Sequence, residues 1–266
     1  MFELALKDSI LPQFDTITLV ISLLLCVLLG LFTYLRNVLD LKASILAVVL
    51  GMLLIGYSDF FWFLLMLFFL LISYWVTIFK YRRKKMLGMN EGSFGERGVR
   101  NVVANGAIPL CIAVFSGILD EISPGLSGIL FLVAISTAAS DSFASEIGVL
   151  DGKPRLITRP SEKVEPGVDG GVTLLGNSAA LLGGVLIAVA GYFLVTDTLI
   201  TDGPHLLPAT IWVIITTVTV GWIGCQLDSL LGATLQKRGL LSNNMVNFVT
   251  IMISVLVVAP AYILLA

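Results

Sequence analysis

The stretch S-T-A-A-S-D-S-F-A-S-E-I-G-V-L-D-G-K-P-R-L-I-T-R-P-S-E-K-V-E-P-G-V-D-G-G, Ser136 to Gly171, decides how the chain is read. An apolar segment that begins near Leu126 acquires Asp141 and Glu146 before it has finished crossing a bilayer. It then opens into a loop carrying Lys153, Arg155, Arg159 and Lys163. An Asp at the centre of a membrane helix costs roughly 2.5–3.5 kcal/mol on insertion scales, so intramembrane carboxylates mark a site by default. The stretch is therefore expected to hold a metal ion and a phosphorylated substrate at the inner face of a membrane.

Composition sets the class. With 57% apolar and 13% charged residues, and a mean hydropathy of +0.99, the chain cannot cover a soluble domain with charge. It reads as an all-α integral membrane protein, a single polytopic domain over 1–266. The net charge of -2 is confined to short loops with no basic, aromatic-laced groove, which argues against nucleic acid. Cys26, Cys111 and Cys225 show no C-x-x-C spacing and read as packing residues. His205, beside Gly203 and Pro204 in a polar linker, is not expected to be catalytic.

Apolar runs of roughly 17 to 24 residues suit helices crossing about 30 Å of hydrocarbon. Eight are expected, near Thr16 to Tyr34, Leu41 to Tyr57, Phe60 to Phe79, Val102 to Leu119, Leu126 to Glu146, Gly171 to Val195, Leu207 to Leu227 and Asn247 to Leu265. The first is too long for a signal peptide and lacks a small-residue cleavage site. Three of these spans fill 1–80, and 81–266 forms the core. The second, interrupted by Gly51 and Gly56, is the weakest in pattern.

Of the 16 Lys and Arg, all but Lys7 fall in the odd-numbered loops, whereas the even-numbered loops carry Asp59, Asp120, Glu121, Asp197 and Asp202. The positive-inside rule makes the odd loops cytoplasmic and both termini external. At 1.5 Å per residue, Asp141 then lies about 22 Å into span five and Asp228 about 31 Å into span seven. Asn105, Asn177 and Asn247 sit in the first two turns of spans four, six and eight, so five helices carry polar groups to one level.

Hard divalent cations such as Mg2+ take carboxylate, phosphate and water oxygens. Asp141, Glu146 and Asp228 are the candidate ligands, although Asp141 and Glu146 lie about 140° apart on an ideal helix. D-S-F-A-S at Asp141 is echoed by D-S-L-L-G at Asp228, placing Ser142 and Ser229 beside the two acids. Arg97 and Arg100, in E-G-S-F-G-E-R-G-V-R-N, read as phosphate ligands on a flexible strip. Gly170 and Gly171 immediately precede span six, whose N-terminal N–H groups suit an anion. Other features have plainer readings. Lys80 to Lys85 reads as an anchor on anionic lipid, and Gly30, Gly51, Gly56, Gly183, Gly184 and Gly191 as helix-packing points.

Five motifs carry a resemblance: G-E-R-G-V-R-N-V-V-A-N-G (Gly95 to Gly106), A-S-D-S-F-A-S-E-I-G (Ala139 to Gly148), P-R-L-I-T (Pro154 to Thr158), P-G-V-D-G-G-V-T-L-L-G (Pro166 to Gly176) and L-D-S-L-L-G-A-T-L-Q (Leu227 to Gln236). Over about the last two thirds of the chain they resemble the membrane family that contains the plastid phytyl-phosphate kinase of the vitamin E pathway. More distantly, Asp141 with Ala144, then Lys163, Glu165, Gly167, Gly170 and Gly171, is similar in order to the CTP-dependent group of CDP-diacylglycerol synthases, dolichol kinases and phytol kinases. The spacing departs by one residue, K-V-E-P-G standing where that group has K-T-x-E-G.

The resemblance implies a membrane kinase that passes the terminal phosphoryl group of a nucleoside triphosphate, CTP or another, to an isoprenyl monophosphate of phytyl or geranylgeranyl type. Asp141, Glu146 and Asp228 would then hold Mg2+. Arg97, Arg100, Arg155, Arg159, Lys163, Gly167, Gly170, Gly171, Ser142 and Ser229 would hold phosphates, and Asn105 and Asn177 would orient oxygens. Expected partners are a prenyl-phosphate lipid, membrane lipids and, as one option, a second copy of the chain. A CDP-lipid-forming cytidylyltransferase and a lipid or ion transporter remain alternatives.

Overall fold

The computed structural model describes residues 16–199 and 209–265, so His205 and Lys7 lie outside the described residues. Each apolar run forms a helix. In chain order these are α1 (Thr16–Leu35), α2 (Leu41–Tyr57), α3 (Phe60–Ile78), a short α4 (Tyr81–Met86), α5 (Val99–Val114), α6 (Ser116–Ile122), α7 (Leu126–Gly148), α8 (Leu174–Leu199), α9 (Ala209–Leu231), a π-helical turn (Gly232–Gln236) and α10 (Asn243–Leu265). Among the described residues, 6 helices are long and apolar enough to cross a membrane, or 7 if α5 and α6 form one span. The chain is a multi-pass integral membrane protein.

The expected count of eight spans is lowered at two places. α2 is only 17 residues long, and the run from Val102 to Leu119 breaks at Phe115, where α5 and α6 meet at 62°. Helix starts follow side-chain chemistry. Asp40 accepts from the Ala43 amide at 2.7 Å to begin α2, and Asp59 accepts from the Phe61 and Trp62 amides at 2.6 and 3.0 Å to begin α3. Each carboxylate satisfies donors that a helix N-terminus leaves unpaired.

α7 is the axis of the molecule, with 94% of its most apolar window buried, against 17% for α1. Ile17, Leu24, Leu28 and Leu35 of α1 instead face outward, as side chains in lipid should. α7 is surrounded because Ser127, Gly128, Ala134, Ser136, Thr137, Ala138, Ala139 and Ser140 are small and let neighbours approach. A Cβ on Gly183 of α8 would meet the Ala139 carbonyl oxygen at 2.9 Å, and one on Gly224 of α9 would meet Thr137 Cγ2 at 2.6 Å. Ser136 Oγ donates to the Thr217 carbonyl at 2.8 Å, tying α7 to α9. On the other side Trp62 of α3 packs on Phe131, ring centroids 4.1 Å apart.

The segment between α7 and α8, expected to be loop, contains a small antiparallel sheet. Its strands are β1 (Arg155–Leu156), β2 (Arg159–Lys163) and β3 (Gly171–Val172), in the order β2-β1-β3. β2 is an exposed edge strand containing Pro160, which an edge tolerates because no ladder donor is needed there. β3 runs into α8, so the sheet fixes how the chain returns over the end of α7.

Candidate functional site

A cavity of about 240 Å³ lies at the C-terminal end of α7 and is lined from α7, α8, α9, α10, the start of α5 and the segment from Pro166 to Thr173. α7 contributes Asp141, Ser142, Ser145 and Glu146, and α9 contributes Cys225, Asp228 and Ser229. The Asp141 and Asp228 carboxyls are within hydrogen-bonding reach of one another. α10 supports the pair: Thr250 Oγ1 donates to Asp228 Oδ2 at 3.5 Å. The Asn247 amide, oriented with its nitrogen toward the carboxylate, donates to the same oxygen at 3.2 Å. Asn177 of α8 is held from α9, its Oδ1 accepting from Gln226 Nε2 at 2.8 Å.

Neighbouring carboxylates repel as like charges, and a shared proton or a cation between them relieves that repulsion. The donors are all oxygen and come from facing helices, which fits a hard divalent ion completed by phosphates and water. Among the described residues no group of three or more His, Cys, Asp or Glu converges. Of the three expected ligands, Asp141 and Asp228 come together, and Glu146 lines the same cavity.

Glu146 is engaged by other groups of the chain. Its Oε2 accepts from Lys84 Nζ at 2.6 Å and its Oε1 lies 2.9 Å from Thr77 Oγ1. Lys84, which the sequence assigned to a lipid-facing anchor, is fully buried. Its Nζ also donates to the Val76 and Thr77 carbonyls at 2.6 and 3.0 Å, capping the last turn of α3. Burial pushes the Lys84 ammonium below the ordinary lysine value, and Glu146 opposes that shift. A lysine buried this deeply needs a counter-charge, and Glu146 supplies it.

Arg97 lies alongside. Its backbone is pinned by the Arg97 amide to Val38 carbonyl bond (3.0 Å) and by the Asp40 amide donating to its own carbonyl (3.1 Å). The side chain is 4% exposed. Its Nη2 donates to Thr77 Oγ1 at 3.3 Å, and its Nε has no partner. Arg97 lines the polar cavity and keeps one buried N–H without a partner, and a guanidinium is a group that suits an oxyanion.

The roof is the segment Pro166 to Thr173. Gly167 and Gly170 have φ of +84° and +78°, a region that penalises side chains. A Cβ on Gly170 would run into Ala233 of the π-helical turn. That turn aims Gln236 back at the roof, Nε2 donating to Asp169 Oδ1 at 2.8 Å. Thr173 Oγ1 accepts from the Gly176 amide at 2.9 Å at the start of α8.

Gly167, Gly170, Gly171, Ser142, Ser229, Asn177 and Arg97 thus line the cavity with the two Asp residues. Four cations do not. Arg155 is exposed and donates to the Pro160 carbonyl at 2.7 Å, Arg159 pairs with Glu162 at 3.5 Å, and Lys163 and Arg100 are exposed. The first three sit on the sheet and are exposed. Asn105 is buried one turn past the cavity, donating to the Asn101 carbonyl at 3.0 Å. The sequence reading missed Asn101, Asp169, Gln226, Gln236 and Thr250. Gln236 closes the motif that begins at Leu227, and its eight-residue offset from Asp228 meets the site only because the π-helical turn intervenes.

A family model described as "Integral membrane protein DUF92" matches residues 24–255. An uncharacterized membrane protein of Methanocaldococcus jannaschii is 32% identical over 234 residues, covering 88% of this chain and 90% of its own. The chloroplastic protein VTE6 of Arabidopsis thaliana is 29% identical over 71% of this chain and 55% of its own. Protein PGR of the same plant is 28% identical over 91% and 94%. No solved structure matches the chain.

Proposed function

The chain belongs to the DUF92 family of integral membrane proteins, and on that premise we propose that it is a membrane kinase converting an isoprenyl monophosphate to the diphosphate with a nucleoside triphosphate. One observation carries the reading. The paired carboxyls of Asp141 and Asp228 face a polar cavity that also holds a buried arginine and a glycine roof. The motif resemblance to the family containing the phytyl-phosphate kinase supports the lipid class.

Asp141 and Asp228 would hold Mg2+, which neutralises phosphate charge when bound. Arg97 would hold the acceptor phosphate, while the roof glycines and the first amides of α8 cradle the triphosphate. Asn177, steadied by Gln226, orients an oxygen. The acceptor phosphate oxygen attacks the terminal phosphorus, the bond to the bridging oxygen breaks, and the nucleoside diphosphate leaves. The attacking group is already an anion, so positioning and charge neutralisation suffice without a general base. By the positive-inside rule the cavity opens on the cytoplasmic side.

The test is to incubate the purified protein in lipid nanodiscs with geranylgeranyl or phytyl monophosphate, Mg2+ and each triphosphate in turn. A prenyl diphosphate, absent with Asp141→Asn and Asp228→Asn, is expected. No diphosphate from any pairing would reject the reading.

A further inference from the structure

A second cavity, of about 100 Å³, lies between α1, α2, α3 and α5 and is apolar along its length. Leu50, Leu54, Met66, Leu67 and Val102 are among the side chains that line it. Two polar residues of its lining, Arg97 and Asn101, also line the carboxylate cavity, so the two spaces lie on either side of one guanidinium. Asn105, 5% exposed, lines the apolar cavity with its Oδ1 unpartnered. Hydrocarbon walls running up to a buried cation match an amphiphile with an anionic head and an apolar body. They do not match a hydrophilic solute.

Resting on the kinase reading, we infer that this cavity is an intramolecular seat for the phosphate-proximal part of the isoprenyl chain. The head group is held at Arg97, and the distal chain passes into the bilayer. Along α3 the lining runs from Leu70 to Phe63, about 10 Å at 1.5 Å per residue, the length of roughly two isoprene units. The branched methyl groups of an isoprenoid suit a wall of Leu, Met and Val better than a straight acyl chain does, because a close-packed cavity rewards matching shape. The arrangement sets the reacting phosphate at a fixed depth beside Asp141, since Arg97 and Asn101 line both cavities and so stand between the head in one and the tail in the other.

The experiment uses the full chain in nanodiscs and geranylgeranyl monophosphate bearing a photoreactive diazirine on its first isoprene unit, with adducts mapped by mass spectrometry and no triphosphate present. Adducts on Leu50, Met66, Leu67 or Val102, competed by unlabelled geranylgeranyl monophosphate but not by geranylgeraniol or inorganic phosphate, are expected. Met66→Trp and Val102→Trp should each lower labelling by about tenfold or more, as loss of one buried branched unit implies. Whichever of the two keeps the parent melting temperature is scored. Adducts confined to the outward faces of α1 and α10, or full labelling in a folded filled variant, would overturn the proposal. Cavity adducts in a protein that forms no diphosphate would leave this seat standing and remove the kinase reading. Diphosphate formation with adducts elsewhere would do the reverse.

Discussion

Lys84 Nζ and Glu146 Oε2 sit 2.6 Å apart, joining a short helix after α3 to the last turns of α7. The contact turns two charges that look catalytic or lipid-binding in the sequence into a structural tie. Removing one partner strands the other: Glu146→Gln or Lys84→Met should each cost about 3–5 kcal/mol, while the double replacement Lys84→Met with Glu146→Leu recovers much of the loss. Thermal unfolding in detergent reads both. Mg2+-dependent activity in the folded double variant, within about tenfold of the parent, is expected because both Glu146 oxygens are already engaged by Lys84 and Thr77. Complete loss in a stable double variant would restore Glu146 to the metal.

Asp141 and Asp228 behave oppositely. Like charges held together destabilise the apo protein, so Asp141→Asn and Asp228→Asn should raise the melting temperature in chelator while lowering activity at least about a hundredfold. Mg2+ should stabilise the parent and neither variant. Scanning the three proteins with and without EDTA decides it, and a lower melting point for both variants would contradict the pairing.

The roof depends on Gly170 having no side chain. Gly170→Ala combines a φ of +78° with a collision against Ala233, and should reduce kcat/KM by about tenfold or more. Ala233→Gly in the same chain relieves the collision but not the backbone strain, so rescue should be partial. Gln236→Ala, which frees Asp169, should raise the KM for triphosphate, consistent with the roughly 1 kcal/mol of a typical hydrogen bond. Steady-state kinetics on the three variants separates these effects.

Glu96 gives a pH signature outside the spans. Burial would raise its carboxyl, but hydrogen bonds from the Ser93 and Phe94 amides prevail and hold it below the ordinary value of 4.5. A folded value below the unfolded one means the stabilisation is full above the unfolded value and is lost as pH falls through the folded one. Amide exchange of Ser93 and Phe94, corrected for intrinsic rates, should lose protection only below about pH 4.5. In Glu96→Gln it should not vary with pH.

What was legible in the sequence was whatever depends on rise and periodicity. Asp141, Asp228, Asn177 and Asn247 reach one level because each is a fixed number of residues from the end of an apolar run, and a helix converts count into depth. Long hydrophobic runs likewise located every long helix among the described residues, although the bend at Phe115 left no pattern that hydropathy could register. Lys84 was not legible. Within K-Y-R-R-K-K, which lysine turns inward depends on Lys80 adopting a φ of +51° and swinging α4 back beneath α3. Arg155, Arg159 and Lys163 do not line the cavity, and a cation-rich linker looks the same whether its side chains close over a cavity or it folds into a small sheet. The π-helical turn that aims Gln236 was likewise invisible to a period of 3.6.

The most direct test follows the fate of the phosphorus. The protein in nanodiscs is given geranylgeranyl monophosphate, Mg2+ and a nucleoside triphosphate labelled in parallel reactions at its terminal or its innermost phosphate. The account predicts terminal label in a lipid diphosphate, innermost label retained on the nucleoside diphosphate, and neither product from Asp141→Asn. Innermost label in the lipid with release of pyrophosphate, or no labelled lipid from either reaction, would contradict it.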